Sequence, residues 1–217
     1  MKKKKAIVFG GSSGIGKAIV NSLDKSNFDI LNPSSSTLNT SNIKQIKEFI
    51  AKEKVTDILV LNTGGPPAKD FFSISEDEWL QYYYQLFYGF VYLLQNIKVN
   101  DGGYIFLISS HTIKNPENKL ILSNAFRVAL TSVLKTLSKI YAEKNISCIN
   151  IAPGPIKTNR LLNLVDDMKS FEESLPMKRA GNPNEIGLFI KSIIENDIKY
   201  LTGVSINFDG GLSNYIF

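Results

Sequence analysis

A glycine-rich turn near the start of the chain is the first stretch whose residue types point to a chemical role. Gly10, Gly14 and Gly16 are spaced as Gly-xxx-Gly-x-Gly, between the apolar run 6–9 and an amphipathic segment. Glycine has no Cβ, so the backbone can turn sharply and approach a ligand closely. The first amides of a following helix lack backbone partners and carry partial positive charge, which suits a diphosphate. We expect a diphosphate site made of Gly10, Ser12, Ser13, Gly14, Ile15 and Gly16, with a loop that merely tolerates glycine as the alternative.

Short apolar runs that alternate with amphipathic segments indicate the elements that position this turn. Strands are predicted at residues 6–9, 28–31, 57–61, 103–108, 146–151 and 204–208. Helices are predicted after the glycine turn, at 42–52, 76–98 and 123–141, and from Asn182 onward. The connection between the second and third strands is short, as if one helix were missing there. Strands alternating with helices predict an α/β fold: a Rossmann-type doubly wound parallel sheet in three layers, within a single domain over residues 1–217.

Length, charge and cysteine content exclude several other classes of protein. The chain has 217 residues, 43% of them hydrophobic and 21% charged, as in an ordinary soluble globular protein. No apolar run reaches the ~20 residues of a membrane span, and the run 6–9 is too short for a signal-peptide core, so we expect a cytoplasmic protein. The net charge of +5 owes much to residues 2–5 and is a weak signal for nucleic acid, so neither nucleic acid nor membrane is predicted as a partner. With one cysteine, Cys148, predicted to be buried in a strand, and one histidine, His111, we predict no disulfide and no metal.

Polar loops follow four of the predicted strands. They begin at Gly10, Asn62, Ser110 and Pro153. Because the carboxyl ends of parallel strands form the ligand crevice of a doubly wound sheet, we expect these loops to meet. After the second strand, residues 32–37 carry neither an acid for a ribose hydroxyl nor a base for a 2′-phosphate, so the preference between NAD and NADP is open.

Four of these stretches, in order along nearly the whole chain, resemble motifs of the classical short-chain dehydrogenase/reductase family. The glycine turn resembles the family's cofactor loop, with Phe9 where threonine is usual. Residues 62–64 resemble its Asn-Ala-Gly, residues 151–158 the Pro-Gly loop that holds the nicotinamide, and residues 208–211 its Phe-Asp-Gly-Gly ending. The resemblance implies an NAD or NADP cofactor. It adds to the glycine turn a set of cofactor contacts: Asn62, Thr63, Gly64, Pro153, Gly154, Ile156 and Thr158.

The catalytic positions implied by the resemblance are less well matched. The family uses an asparagine on the long helix, a serine after the next strand, and a Tyr-xxx-Lys pair about thirteen residues later. Aligning the long helix on its tryptophan and glycine places Leu86 where the asparagine belongs. Ser110 matches the serine, but Ser123 and Arg127 stand in place of the tyrosine and lysine. Residues 110–116, together with Asn-Thr-Gly-Gly-Pro at 62–66 and Ser-Asn-xx-Arg at 123–127, resemble a divergent branch of members related to 3-oxoacyl-[acyl-carrier-protein] reductases that also lack the usual catalytic residues.

These replacements change the chemistry that the site can perform. In the family, the tyrosine protonates the substrate oxygen and the lysine lowers its pKa. Serine is a far weaker acid and Arg127 does not release its proton, but a guanidinium can stabilise an oxyanion or bind a carboxylate or phosphate. Lys114, four residues beyond Ser110, is expected to overhang the site as an acid or base, with a solvated loop lysine as the alternative. His111 titrates in a useful range, unless its side chain points away from Ser110.

The preferred hypothesis is an oxidoreductase that transfers hydride between a nicotinamide dinucleotide and a carbonyl or hydroxyl. Its substrate would be a small molecule or a carrier-bound group, with Ser110 orienting the oxygen and with Arg127 and Lys114 supplying charge. One alternative is a protein that binds the dinucleotide without redox turnover, as a sensor or assembly partner. Another is an enzyme that modifies a nucleotide sugar, in which Arg127 and Arg160 would meet phosphates.

Aromatic residues crowd the predicted helix 76–98, where they favour an interface between subunits over a purely internal core. They are Trp79, Tyr82, Tyr83, Tyr84, Phe87, Tyr88 and Phe90. We predict a homodimer or homotetramer that associates through the helices at 76–98 and 123–141. Residues 157–179 have a mixed composition, which is typical of a mobile segment that covers a substrate.

Overall fold

The fold is organised around one sheet of six parallel strands in the order β2-β1-β3-β4-β5-β6. It is seen in a computed structural model that describes residues 3–34 and 36–216. The strands are β1 Lys4–Val8, β2 Phe28–Leu31, β3 Val55–Leu61, β4 Lys98–Ile108, β5 Ser147–Pro153 and β6 Val204–Phe208. The order reverses between β1 and β3, which is the point where a doubly wound sheet opens a ligand crevice. The predicted Rossmann-type architecture is confirmed.

Helices cover both faces of this sheet. They are α1 Gly14–Ser22, α2 Ile43–Lys52, α3 Glu76–Tyr83, α4 Gly89–Asn96, α5 Ile121–Ile140, α6 Asn159–Leu162, α7 Met168–Ser174 and α8 Pro183–Glu195. Successive strand residues point to opposite faces, so Ile7 packs with α2, α4 and α5, whereas Val8 packs with α1 and α8. Two apolar layers therefore enclose the sheet and produce the predicted three-layer arrangement.

The predicted helix 76–98 is wrong in both its continuity and its end. A π-helical turn, Tyr84–Tyr88, separates α3 from α4, and the Thr40 hydroxyl donates to the Gln85 carbonyl oxygen within it. Helix α4 ends at Asn96, because Ile97 is extended, and Lys98 already belongs to β4. Strand β4 is eleven residues long where the sequence predicted 103–108. It accommodates a register shift against β3, where Gly102 has a φ of +73°.

The remaining boundaries lie within a few residues of the predicted ones. Asn182 caps α8 through a capping box with Glu185, and Cys148 is fully buried in β5, as predicted. Helix α5 starts two residues earlier than expected, so Ser123 and Arg127 occupy its first two turns. The segment 157–179 contains α6 and α7. In the part of the chain that is described, no helix is both long and apolar enough to cross a bilayer.

Candidate active site

The glycine turn between β1 and α1 is packed so closely that side chains would not fit. A Cβ on Gly16 would lie 2.1 Å from the Gly10 carbonyl oxygen, and one on Gly10 would lie 2.7 Å from Asn62 Nδ2. Gly10 has a φ of +64°, which a residue with a side chain rarely adopts. Ser13 is the N-cap of α1, yet its side chain makes no capping hydrogen bond. The first amides of α1 are therefore available to an anion.

The loop after β3 forms the opposite wall of a cleft with a volume of about 470 Å³. The Asn62 side chain donates to the Phe9 carbonyl oxygen at 3.2 Å, and Gln85 donates to the Gly64 carbonyl oxygen at 3.0 Å. These bonds hold the loop against the glycine turn and the π-helical turn. The cleft is lined by most of the cofactor contacts expected from the sequence: Gly10, Ser12, Ser13, Gly14, Ile15, Asn62, Thr63, Gly64 and Thr158. Gly16 lies behind it.

A second cavity of about 410 Å³ continues from this cleft. The two share wall residues at the loop after β3 and at Thr158, and the second is also lined by Pro153, Gly154 and Ile156. Ser110, Ser123 and Arg127 line it as well, so the sequence-predicted residues from β4, α5 and β5 meet in one place. Apolar side chains close the far side: Leu120, Leu161, Leu164, Val165 and Phe171.

Ser110 lies at the end of β4 with its hydroxyl oxygen fixed. The backbone amide and the hydroxyl of Thr112 both donate to Ser110 Oγ, at 3.2 and 3.0 Å. With both lone pairs used in this way, the hydroxyl hydrogen of Ser110 remains as a donor. Ser110 can therefore donate a hydrogen bond to an oxygen in the cavity.

Ser123 and Arg127 lie one turn apart on the same face of α5. Arg127 Nε donates to Ser123 Oγ at 3.1 Å, Nη1 donates to the Ile108 carbonyl oxygen at 2.9 Å, and Nη2 donates to the Thr63 carbonyl oxygen at 3.2 Å. Burial and then the charge of Arg160 lower the pKa of Arg127 to about 10, which still leaves the guanidinium charged at neutral pH. The site thus holds a fixed positive charge beside a serine hydroxyl.

The chain is similar to several known proteins. Residues 36–213 match the family described as enoyl-(acyl carrier protein) reductase. A 7alpha-hydroxysteroid dehydrogenase of Paraclostridium sordellii is 31% identical over 180 residues, which cover 77% of this chain and 67% of that protein. A 3-oxoacyl-[acyl-carrier-protein] reductase of Buchnera aphidicola is 26% identical over 97% of both chains.

The chain belongs to the short-chain dehydrogenase/reductase family. As a member, it is an NAD(P)-dependent dehydrogenase or reductase. Solved structures share the fold: a short chain dehydrogenase family protein from Francisella tularensis superposes with a TM-score of 0.87 at 22% identity, covering 97% of this chain and 99% of that one. The L-sorbose reductase of Gluconobacter frateurii, solved with NADPH and L-sorbose, superposes with a TM-score of 0.86 at 21% identity, covering 100% and 98%.

The residues of the cleft fit the family's dinucleotide. The close approach of Gly10, Gly16 and Asn62 forms a cradle that a single Cβ would fill, and the uncapped start of α1 faces it. Of the residues expected on the nicotinamide side, Thr158 lines both the cleft and the cavity, and Pro153 lines the cavity. Among the described residues, no group of three or more His, Cys, Asp or Glu side chains gathers in a way that could hold a metal.

Two further residues that the sequence singled out do not line the cavity of this short-chain dehydrogenase/reductase. Leu86, which was expected from the resemblance at the position of the family's asparagine, is buried in the π-helical turn. Lys114 does not line the cavity; its Nζ lies 5.3 Å from the centre of the Tyr215 ring. The structure therefore does not bring Lys114 together with Ser110, Ser123 and Arg127.

His111 lines the cavity, and its buried ring lies between two acceptors. Nδ1 is 3.2 Å from the Pro153 carbonyl oxygen and Nε2 is 3.1 Å from Glu117 Oε1. Burial disfavours the charged ring, but the bonds to Glu117 and Pro153 outweigh it, so the pKa of His111 is raised from its ordinary 6.5. The hydrogen bond from His111 lowers the pKa of Glu117 in turn. Sequence reasoning considered His111 but missed Glu117, since nothing in the sequence places residue 117 beside the ring.

Proposed function

We propose that this enzyme transfers hydride between NAD(P)(H) and a carbonyl or hydroxyl group, with Ser123 and Arg127 in place of the family's tyrosine and lysine. The observation that carries the proposal is the Ser110 hydroxyl. Its oxygen is held by Thr112, so its hydrogen is left for a substrate oxygen in the cavity beside the cofactor cleft. A small-molecule or carrier-bound carbonyl compound is the substrate class.

Each side chain has a separate part in this reaction. The bound dinucleotide supplies or accepts the hydride. Ser110 donates to the substrate oxygen and fixes its position. Arg127 places a permanent charge beside Ser123, and a preorganised cation in a buried site stabilises the negative charge that develops on the oxygen. Ser123 Oγ accepts from this guanidinium, which leaves its own hydrogen as a second donor.

Among the residues lining the cavity, His111 and Glu117 are a suitable source of the proton that the reduced oxygen takes up. None of these residues is a tyrosine, and Arg127 stays charged. His111 Nε2 and Glu117 Oε1 share a hydrogen bond, and a histidine ring can act as a general acid or base. We therefore assign the acid and base role to this pair, and Lys114, the candidate from the sequence, lies away from the cavity beside Tyr215.

The test is turnover of the purified protein, followed by the loss of dihydronicotinamide absorbance with a panel of ketones. Ser110→Ala should reduce kcat by roughly 100-fold or more, the effect expected when a donor to a developing oxyanion is removed. Thr136→Ala, on an outer turn of α5, is the control and should retain full activity. Dinucleotide binding by calorimetry without turnover of any ketone would contradict the proposal and favour the sensor or assembly-partner alternative.

We also propose that subunits associate through the face formed by α3, α4 and α5. Trp79 and Phe126 pack edge to face at 5.7 Å within one chain, so part of the aromatic cluster is internal. Leu80 on α3 and Val128 on α5 remain 50% and 46% exposed. Val128→Glu should convert the homodimer or homotetramer to monomer in light scattering, and an unchanged mass would contradict this interface.

A further inference from the structure

Two arginines attach to one short loop between the cofactor cleft and the cavity. Arg127 donates to the Thr63 carbonyl oxygen, while Arg160, on α6, donates to the carbonyl oxygens of Gly65 and Pro66 at 2.8 and 2.7 Å. Gly65 leaves space for this contact, since a Cβ there would lie 2.9 Å from Arg160 Nη2. Both guanidinium groups are therefore fixed in position by the backbone after β3.

Neither guanidinium has a counter-charge within residues 3–34 and 36–216. Among the described residues, no carboxylate forms an ion pair with Arg127 or Arg160, and all their hydrogen-bond partners are neutral oxygens. Arg127 is only 9% exposed, and burial lowers the pKa of both groups. A buried charge without a partner is costly, so an anionic ligand between the two would remove that cost.

The two groups also keep unused donors. A guanidinium has five N–H groups; Arg127 uses three of them and Arg160 uses two. Both residues line the 410 Å³ cavity that contains Ser110. The cavity's one acid, Glu117, is already paired with His111. The charged groups that remain for a ligand are therefore all positive.

We propose that the substrate is an oxo acid whose carboxylate lies between Arg127 and Arg160 while its carbonyl oxygen meets Ser110. Guanidinium groups match the planar geometry of a carboxylate and form strong, charge-assisted hydrogen bonds to it. This assignment rests on the proposed hydride transfer. The cofactor's diphosphate offers similar oxyanion chemistry, because Arg160 also lines the cleft, and the experiment separates these two sources.

The experiment compares acids with their neutral esters: pyruvate with methyl pyruvate, and acetoacetate with methyl acetoacetate. Each is titrated into protein saturated with oxidised dinucleotide, and the dissociation constant is measured by calorimetry without turnover. At least one acid should bind about 10-fold or more tightly than its ester. Arg160→Gln should abolish that preference, Arg160→Lys should keep part of it, and neither should change the dinucleotide dissociation constant by more than about twofold.

Arg179→Gln is the matched control, since Arg179 is an exposed arginine paired with Glu185 away from both cavities; it should leave every value unchanged. Thermal melting confirms that each variant is folded. The proposal is overturned if acid and ester bind alike in both pairs. It is equally overturned if Arg160→Gln weakens dinucleotide binding and leaves the acid preference intact, because Arg160 then binds the diphosphate. Acid-selective binding without hydride transfer would support this inference and refute the proposed function.

Discussion

The cofactor cleft and the adjoining cavity recognise their ligands in different ways. The cleft is formed mainly by backbone and neutral side chains, and among the described residues Arg160 is the one charged residue of its wall. The cavity is lined by five ionisable side chains: His111, Glu117, Lys119, Arg127 and Arg160. Residues of the motifs that resemble those of the family line the cleft, whereas three of the four catalytic positions expected from that resemblance hold other residue types. A site formed by backbone geometry tolerates few amino-acid substitutions. The side chains that line a cavity can be substituted while the backbone that holds them stays the same.

The largest effect is expected where the cleft is tightest. Gly16→Ala would place a methyl group 2.1 Å from the Gly10 carbonyl oxygen, so the turn must shift. We expect a loss of roughly 2–4 kcal/mol in the free energy of unfolding and loss of measurable dinucleotide binding. Gly64→Ala is the control for stability, because nothing lies within 4 Å of a Cβ there. Equal denaturation midpoints for the two variants would show that the cleft is less rigid than described.

The next largest effect is expected on kcat, from a change in the cavity that leaves dinucleotide binding in the cleft nearly unchanged. Arg127→Met removes the fixed charge of the cavity but leaves the glycine turn in place. We expect kcat to fall by roughly 100-fold, since the developing oxyanion loses its cation, while the dinucleotide dissociation constant changes by less than about fivefold. Stability should fall by about 1–3 kcal/mol, because the Ile108 and Thr63 carbonyl oxygens lose their donor. A larger loss in dinucleotide binding than in kcat would assign Arg127 to the cofactor instead.

A smaller effect concerns the ion pair of the cavity. The pKa of His111 is raised, so the stability contributed by its charge is present below pH 6.5 and is lost as the pH rises through the raised value. Glu117 and Asp209 are the charged groups that favour the protonated ring. The melting temperature of the native protein should therefore fall relative to His111→Gln on passing from mildly acidic to mildly alkaline solution. The matched variant Glu117→Gln should show a reduced dependence, and a constant difference across pH would contradict the ion pair.

The smallest expected effect is on the preference between NADPH and NADH, at the part of the cleft that follows β2. The described residues between β2 and Leu38 carry no charge, so we expect NADPH and NADH to bind within about tenfold of each other. Ser34→Asp should weaken NADPH about 10-fold relative to NADH, since a carboxylate repels a 2′-phosphate and can accept from a ribose hydroxyl. Ser41→Asp, further along the loop, is the control. A strong preference in the native protein would show that recognition lies elsewhere.

The local pattern predicted much of the fold but not the irregular path of β4. The apolar runs of β3 and β5 were recognised because buried parallel strands are apolar on both faces. The sequence predicted a helix that ends at Lys98 and a strand that begins at Gly103, with residues 99–102 in neither. Pairing with Val55 and Thr56 makes them a strand, and the register shift in β3 has no signature within residues 98–102.

The sequence by itself determined the backbone features, because glycine spacing and apolar periodicity act locally on the chain. These features place the glycine turn, its strand and its helix, and they bring Ser110, Ser123 and Arg127 to one edge of the sheet. Only the tertiary structure decided that His111 lines the cavity beside Glu117 while Lys114 lies beside Tyr215. The reason is that the loop after β4 packs against Pro153, which is far from it in sequence. The directions of its side chains therefore depend on tertiary contacts that the local sequence does not contain.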